Sequence, residues 1–109
     1  MRFTIIIKSI VSIIIKGDDF LKKKSYVILT ETGIHARPAA GLVKVASKFS
    51  STIQIEKNER KVNLKSILGV MSLGLGKGQS FSIYIEGEDE EQVLQELDQF
   101  LKSEGLVEI

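Results

Sequence analysis

Thr52-Ile53-Gln54-Ile55-Glu56-Lys57-Asn58-Glu59-Arg60-Lys61-Val62-Asn63-Leu64 decides how the rest of this chain folds. Ile53 and Ile55 alternate with polar neighbours, the period-two pattern of a strand with one buried and one wet face. Asn58-Glu59 breaks the run, and Arg60 to Leu64 returns as a partner strand. Two strands joined by two residues form a β-hairpin, so the sheet is antiparallel here. Strands that are amphipathic rather than apolar on both faces imply helices on one side of the sheet and water on the other.

The neighbouring segments extend the same pattern. Upstream, Ala39, Leu42, Val43, Ala46 and Phe49 recur at the spacing of one helix face, predicting a helix over Arg37–Phe49 with Lys44 and Lys48 on its other side. Before it, Tyr26–Thr30 has the aromatic and β-branched content of a strand. Lys22-Lys23-Lys24 reads as a solvated edge. Downstream, Ser66 precedes Ile67–Leu73 and suits an N-cap, because its hydroxyl accepts a bond from an orphan helix amide. A helix of about two turns follows, ended by Gly74, Gly76 and Gly78. Phe81, Ile83 and Ile85 alternate as another strand. Glu88-Asp89 opens a last helix with Val93, Leu94, Leu97, Phe100 and Leu101 on one face. Its acidic start and Lys102 near its end suit the helix dipole, and Gly105 suits the C-cap. The order is βαββαβα. The predicted fold class is α+β, an open-faced sandwich with a four-stranded antiparallel sheet covered on one face by three helices.

Composition narrows the chemistry. A chain of 109 residues makes one core and no deep active site. With no cysteine, disulfides, thiolate catalysis and zinc–thiolate sites are excluded. One histidine cannot build a multi-histidine metal site, and no cofactor is expected. A net charge of +1 does not suggest direct nucleic-acid binding. Charge is nevertheless segregated: seven acids and no base lie between Glu86 and Asp98, while Arg37, Lys44, Lys48, Lys65 and Lys77 lie earlier. Gathered on one face, those bases would attract acidic or phosphorylated partners.

The only histidine and the only proline fall together in Gly33-Ile34-His35-Ala36-Arg37-Pro38-Ala39-Ala40. Proline lacks an N–H and fits the first helical turn, so His35 sits just before a helix N-terminus, beside Arg37. Such an end offers free amides and partial positive charge to a phosphate. An imidazole nitrogen there is a nucleophile placed where an incoming phosphoryl group is stabilised. The ordinary reading of a lone histidine is a capping or surface residue. Missing carboxylate and histidine partners argue against a hydrolase and favour covalent carriage over complete catalysis. Ser66 alone reads as an N-cap, and Ile67, Leu68 and Met71 as core or as an exposed docking patch. Leu73–Gly78 (LGLGKG) lacks both the Walker A and the dinucleotide spacing, and reads as a flexible turn.

From about Lys22 to Leu106 the chain resembles HPr, the histidine-containing phosphocarrier of the bacterial phosphoenolpyruvate-dependent sugar phosphotransferase system. "TGIHARPAA" at 32–40, "VNLKSILGVMSLGLGKG" at 62–78 and "KSEGL" at 102–106 carry the resemblance. It implies the same open-faced sandwich, in the cytoplasm. It implies that His35 accepts a phosphoryl group on Nδ1 from phosphorylated Enzyme I and gives it to the A component of a sugar-specific Enzyme II. Arg37 matches the family's active-site arginine. Ser66 matches the serine that many relatives present to HPr kinase/phosphorylase, after which the phosphoserine form serves a catabolite-control transcription factor. The alternative is a regulatory module that transfers no phosphate and acts through Ser66 phosphorylation and transcription-factor binding by the neighbouring apolar patch. The family pattern often has serine where Thr32 stands, and Gly41 adds a flexible residue to the first helix.

Residues 1–20 have no counterpart in that pattern. Phe3–Ile15 is mostly isoleucine, but it is too short to span a bilayer and carries Lys8. Lys16-Gly17-Asp18 can be encoded AAA-GGA-GAT, which contains a purine-rich ribosome-binding sequence, and Leu21 can be TTG, an alternative bacterial start. The expectation is an extension outside the fold and not native to the protein, with the domain at 21–109. A membrane-surface or oligomerisation segment is the rival reading.

Overall fold

Pairing of the alternating segments builds one sheet. The computed structural model describes residues 21–108. The expectations about residues 1–20 lie outside the described residues. Strands β1 (Leu21–Val27), β2 (Thr52–Lys57), β3 (Arg60–Asn63) and β4 (Ser80–Glu86) are joined by helices α1 (Ala36–Ala46), α2 (Ile67–Met71) and α3 (Glu90–Ser103). The order across the sheet is β1-β4-β2-β3, and every pairing is antiparallel.

The hairpin forms as expected. Ile55 pairs with Val62 and Lys57 with Arg60. Asn58 and Glu59 take φ of 51° and 69°, the two left-handed residues of a tight turn that matches strand twist. Ile53, Ile55, Phe81, Ile83 and Ile85 are buried while their strand neighbours stay wetter. Ala39, Leu42, Val70, Val93, Leu97 and Leu101 meet them from the helices.

Several boundaries differ from expectation: the strand over Arg60–Leu64 ends at Asn63, and the helix over Ile67–Leu73 ends at Met71. The first strand runs from Leu21 to Val27, so Lys22, Lys23 and Lys24 lie within it, at the sheet's solvated edge, and not before it. Pairing with β4 overrides the weak strand propensity of lysine. Two of these lysines are anchored: Lys22 meets Glu91 at 2.8 Å, and Lys24 meets Asp98 at 2.6 Å. The first helix stops at Ala46, before Phe49, in a turn where Lys48 and Phe49 amides reach carbonyls three residues back. The last helix begins at Glu90; the Asp89 carboxylate is engaged by the Ser51 hydroxyl instead of a helix amide. At its other end, Gly105 has φ 69°, and the amides of Gly105 and Leu106 donate to Lys102 and Leu101. That is a glycine C-cap with a left-handed residue.

Asp98 ties β1 to α3. Burial opposes its charge, but bonds from Lys102, Lys24 and Tyr26 outweigh burial and hold its carboxyl at about 2. The Tyr26 phenol is pushed up by burial and by its bond to that carboxylate. An unfolded aspartate titrates near ~3.9, so the unfolded state binds the proton first as pH falls. The contribution is complete above pH ~4 and disappears on approach to pH 2. Asp98→Asn should cost about 1–2 kcal/mol at neutral pH and flatten this acid limb. Denaturant melts from pH 2 to pH 7 read both effects; an acid limb that survives in the variant assigns it to another carboxylate.

Candidate functional site

The site starts at a backbone constraint. Gly33 has φ 66°, and a Cβ there would overlap the Leu75 carbonyl. Only glycine both adopts this conformation and allows the approach. The next amide, Ile34 N–H, donates to Leu75 O at 2.9 Å, and the Ile34 side chain is buried. The chain then emerges with His35, exposed and extended at the N-cap of α1.

The His35 side chain makes no cap hydrogen bond. Its carbonyl accepts from Ala39 N–H at 2.9 Å, so its backbone is committed to the helix while its imidazole is not. Pro38, the third helical residue, has no N–H to offer and is buried. Among the described residues, the amides of Ala36 and Arg37 have no hydrogen-bond partner. An imidazole, two free amides and an exposed guanidinium thus occupy one helix start, an arrangement suited to a phosphoryl group.

Three of the bases are engaged by other residues. Lys48 is paired with Glu96 at 2.9 Å, Lys77 with Glu31 at 2.5 Å, and Lys65 donates to Phe49 O at 2.7 Å. Arg37 and Lys44 have no ion pair among the described residues and lie two turns apart on α1, hence on one face.

Ser66 caps α2, accepting from Gly69 N–H at 3.0 Å. Val70 is buried beneath the helix, whereas Ile67, Leu68 and Met71 are exposed, Leu68 by 81%. These three are not core, because a helix of five residues turns only one face to the sheet. Gly41 is a close-packing residue rather than a flexible one: a Cβ there would run into the Phe100 ring of α3.

A family model described as the phosphotransferase-system HPr component phosphorylation site matches residues 22–103. The chain belongs to the HPr family. A Mycoplasma histidine-containing phosphocarrier protein is 41% identical, with TM-score 0.78, over 81% of this chain and 100% of its own. HPr from Thermoanaerobacter tengcongensis is 48% identical, with TM-score 0.71, over 75% of this chain and 92% of its own. The Bacillus subtilis catabolite-repression protein Crh is 41% identical, with TM-score 0.60, over 69% and 86%. This chain is therefore an HPr-family phosphocarrier of the phosphotransferase system.

Sequence reasoning missed what lies behind the histidine. The glycine-rich segment after α2 reads as a flexible turn, but in the structure it is pinned. Gly78 N–H donates to Ile28 O, Ile28 N–H to Gln79 O, and Lys57 Nζ to the carbonyls of Leu73 and Gly74. The available signal was Gly33, whose need for close approach implied a backbone partner without naming it. No group of three or more histidine, cysteine or acidic residues among the described residues could hold a metal. No described helix is long and apolar enough to cross a membrane.

Proposed function

We propose that this HPr-family chain carries a phosphoryl group on His35 Nδ1, taking it from phosphorylated Enzyme I and delivering it to Enzyme II A components. The observation that carries the reading is the unengaged imidazole of His35 at a helix start whose first amides are also unengaged. The Nδ1 lone pair attacks phosphorus, the new N–P bond forms as the donor's bond breaks, and the electron pair leaves with the donor. Transfer runs through a loose transition state, so the protein's task is positioning and charge stabilisation. The free amides and Arg37 supply the charge stabilisation. Exposure lets two partners reach the same nitrogen in turn. Ile67, Leu68 and Met71 form the apolar part of the docking surface, and the cytoplasm is the proposed compartment. Incubation with phosphoenolpyruvate and Enzyme I should add one acid-labile phosphate by intact mass; no mass gain rejects the reading.

Ser66 is proposed as a regulatory site for HPr kinase/phosphorylase, linking the protein to a catabolite-control transcription factor. Its similarity to Crh supports that role. Negative charge at Ser66 would oppose an acidic partner approaching Arg37 and Lys44. Ser66→Asp should lower the initial rate of uptake from Enzyme I by about tenfold, with the deficit shrinking as salt is added. An unchanged rate at low salt removes Ser66 from control of His35. A purely regulatory module would keep the Ser66 chemistry and show no uptake at His35.

A further inference from the structure

The pinned loop behind His35 depends on two side chains outside the site. Lys57, the last residue of β2, reaches three acceptors: Leu73 O at 3.1 Å, Gly74 O at 2.9 Å and Gln79 Oε1 at 3.0 Å. Gln79 Oε1 also accepts from Gly76 N–H at 2.7 Å. Both groups facing that atom are donors, so it is the amide oxygen. Arg60, paired with Lys57 across the hairpin turn, donates to Ser72 O at 3.1 Å. The hairpin end therefore grips the exit of α2 at consecutive carbonyls, Ser72, Leu73 and Gly74.

Gly76 is next to Leu75, whose carbonyl receives Ile34 N–H, and Ile34 precedes His35. From Gln79 Oε1 the path runs through Gly76 N–H, the Leu75 carbonyl and the Ile34 amide to the imidazole-bearing residue. A segment with glycine at 74, 76 and 78 has little stiffness of its own. Its shape at Leu75 is imposed by bonds, and Lys57 and Gln79 supply three of them, a fourth joining the two side chains to each other.

We propose that Lys57 and Gln79 are positioning residues for phosphoryl transfer, a clamp that holds Leu75 where it seats Ile34 and so aims His35. This rests on the carrier reading of His35. Neither side chain touches the reacting atoms. They act by keeping the nucleophile in line with the donor, an effect for which a displacement of about 1 Å can cost up to a hundredfold in rate.

Gln79→Ala removes the shared acceptor, Lys57→Met removes the ammonium while keeping the stem, and Gln79→Glu retains the acceptor. The full chain is used throughout. Amide exchange is measured at Ile34 and, as a control, at Ile83 in the core of β4. Steady-state uptake from Enzyme I gives kcat and KM for this protein as substrate. In Gln79→Ala and Lys57→Met, Ile34 should exchange about tenfold faster with Ile83 unchanged, as for a local opening. The kcat should fall about tenfold or more, with KM within about twofold, because docking contacts are intact. Gln79→Glu should restore both. Unchanged Ile34 exchange or unchanged kcat overturns the clamp. So does parallel acceleration at Ile34 and Ile83, which marks general destabilisation. A wild-type protein that takes no phosphate fails at the carrier reading itself, a result visible before any variant is compared.

Discussion

His35→Ala is expected to take up no phosphate from phosphoenolpyruvate and Enzyme I while keeping its fold. The imidazole is exposed and makes no cap bond, so nothing in the packing depends on it. Loss of the sole histidine removes the only nitrogen nucleophile of its kind. His35→Ser sharpens the test. Serine is a preferred N-cap, and with Pro38 lacking an N–H it would bond the free amide of Arg37. That variant should be more stable than wild type by up to about 1 kcal/mol and equally inactive. Thermal melts and intact-mass phosphorylation read the two properties separately. Phosphate uptake by either variant places the acceptor elsewhere.

Arg37→Ala should slow uptake by about two to three orders of magnitude, the usual effect of losing one preorganised charge contact. Arg37 is exposed and has no ion pair among the described residues. Substitutions at such surface positions shift stability by roughly 0.5 kcal/mol or less. A rate loss with an unchanged melt therefore reports on charge at the transition state rather than on folding. Arg37→Lys keeps the charge but not the planar fork, and should recover part of the rate. Wild-type kinetics in Arg37→Ala would take the guanidinium out of the mechanism, leaving the amides of Ala36 and Arg37 as the phosphate's partners.

Most elements were legible because their patterns are local. Ile53 and Ile55 report a two-residue period whatever the rest of the chain does, and so do Phe81, Ile83 and Ile85. Pro38 and His35 mark a helix start by backbone chemistry alone. Ser66 reads as a cap for the same reason, and the structure shows its bond to Gly69. The Lys22–Lys24 run was misread because three lysines carry no local strand signal. What makes them a strand is β4, over fifty residues away, together with Glu91 and Asp98 on α3.

By itself the sequence determined the antiparallel, one-sided sheet, the order of elements and the three residues His35, Arg37 and Ser66 as candidates. The sheet, the order and the setting of His35 and Arg37 follow from spacing within a dozen residues, where period, capping and proline chemistry act; local pattern reads Ser66 only as a cap, and its candidacy came from the resemblance to HPr. Tertiary structure alone decided the strand order β1-β4-β2-β3, the exposure of Ile67, Leu68 and Met71, and the seat of His35. These depend on which distant surfaces meet. The Leu75 carbonyl lies some forty positions from Ile34, and Lys57 and Gln79 are joined to it only through hydrogen bonds. Hydrogen bonds between distant residues leave no period in a sequence, so the bonds that aim the histidine become visible only once the chain has closed on itself.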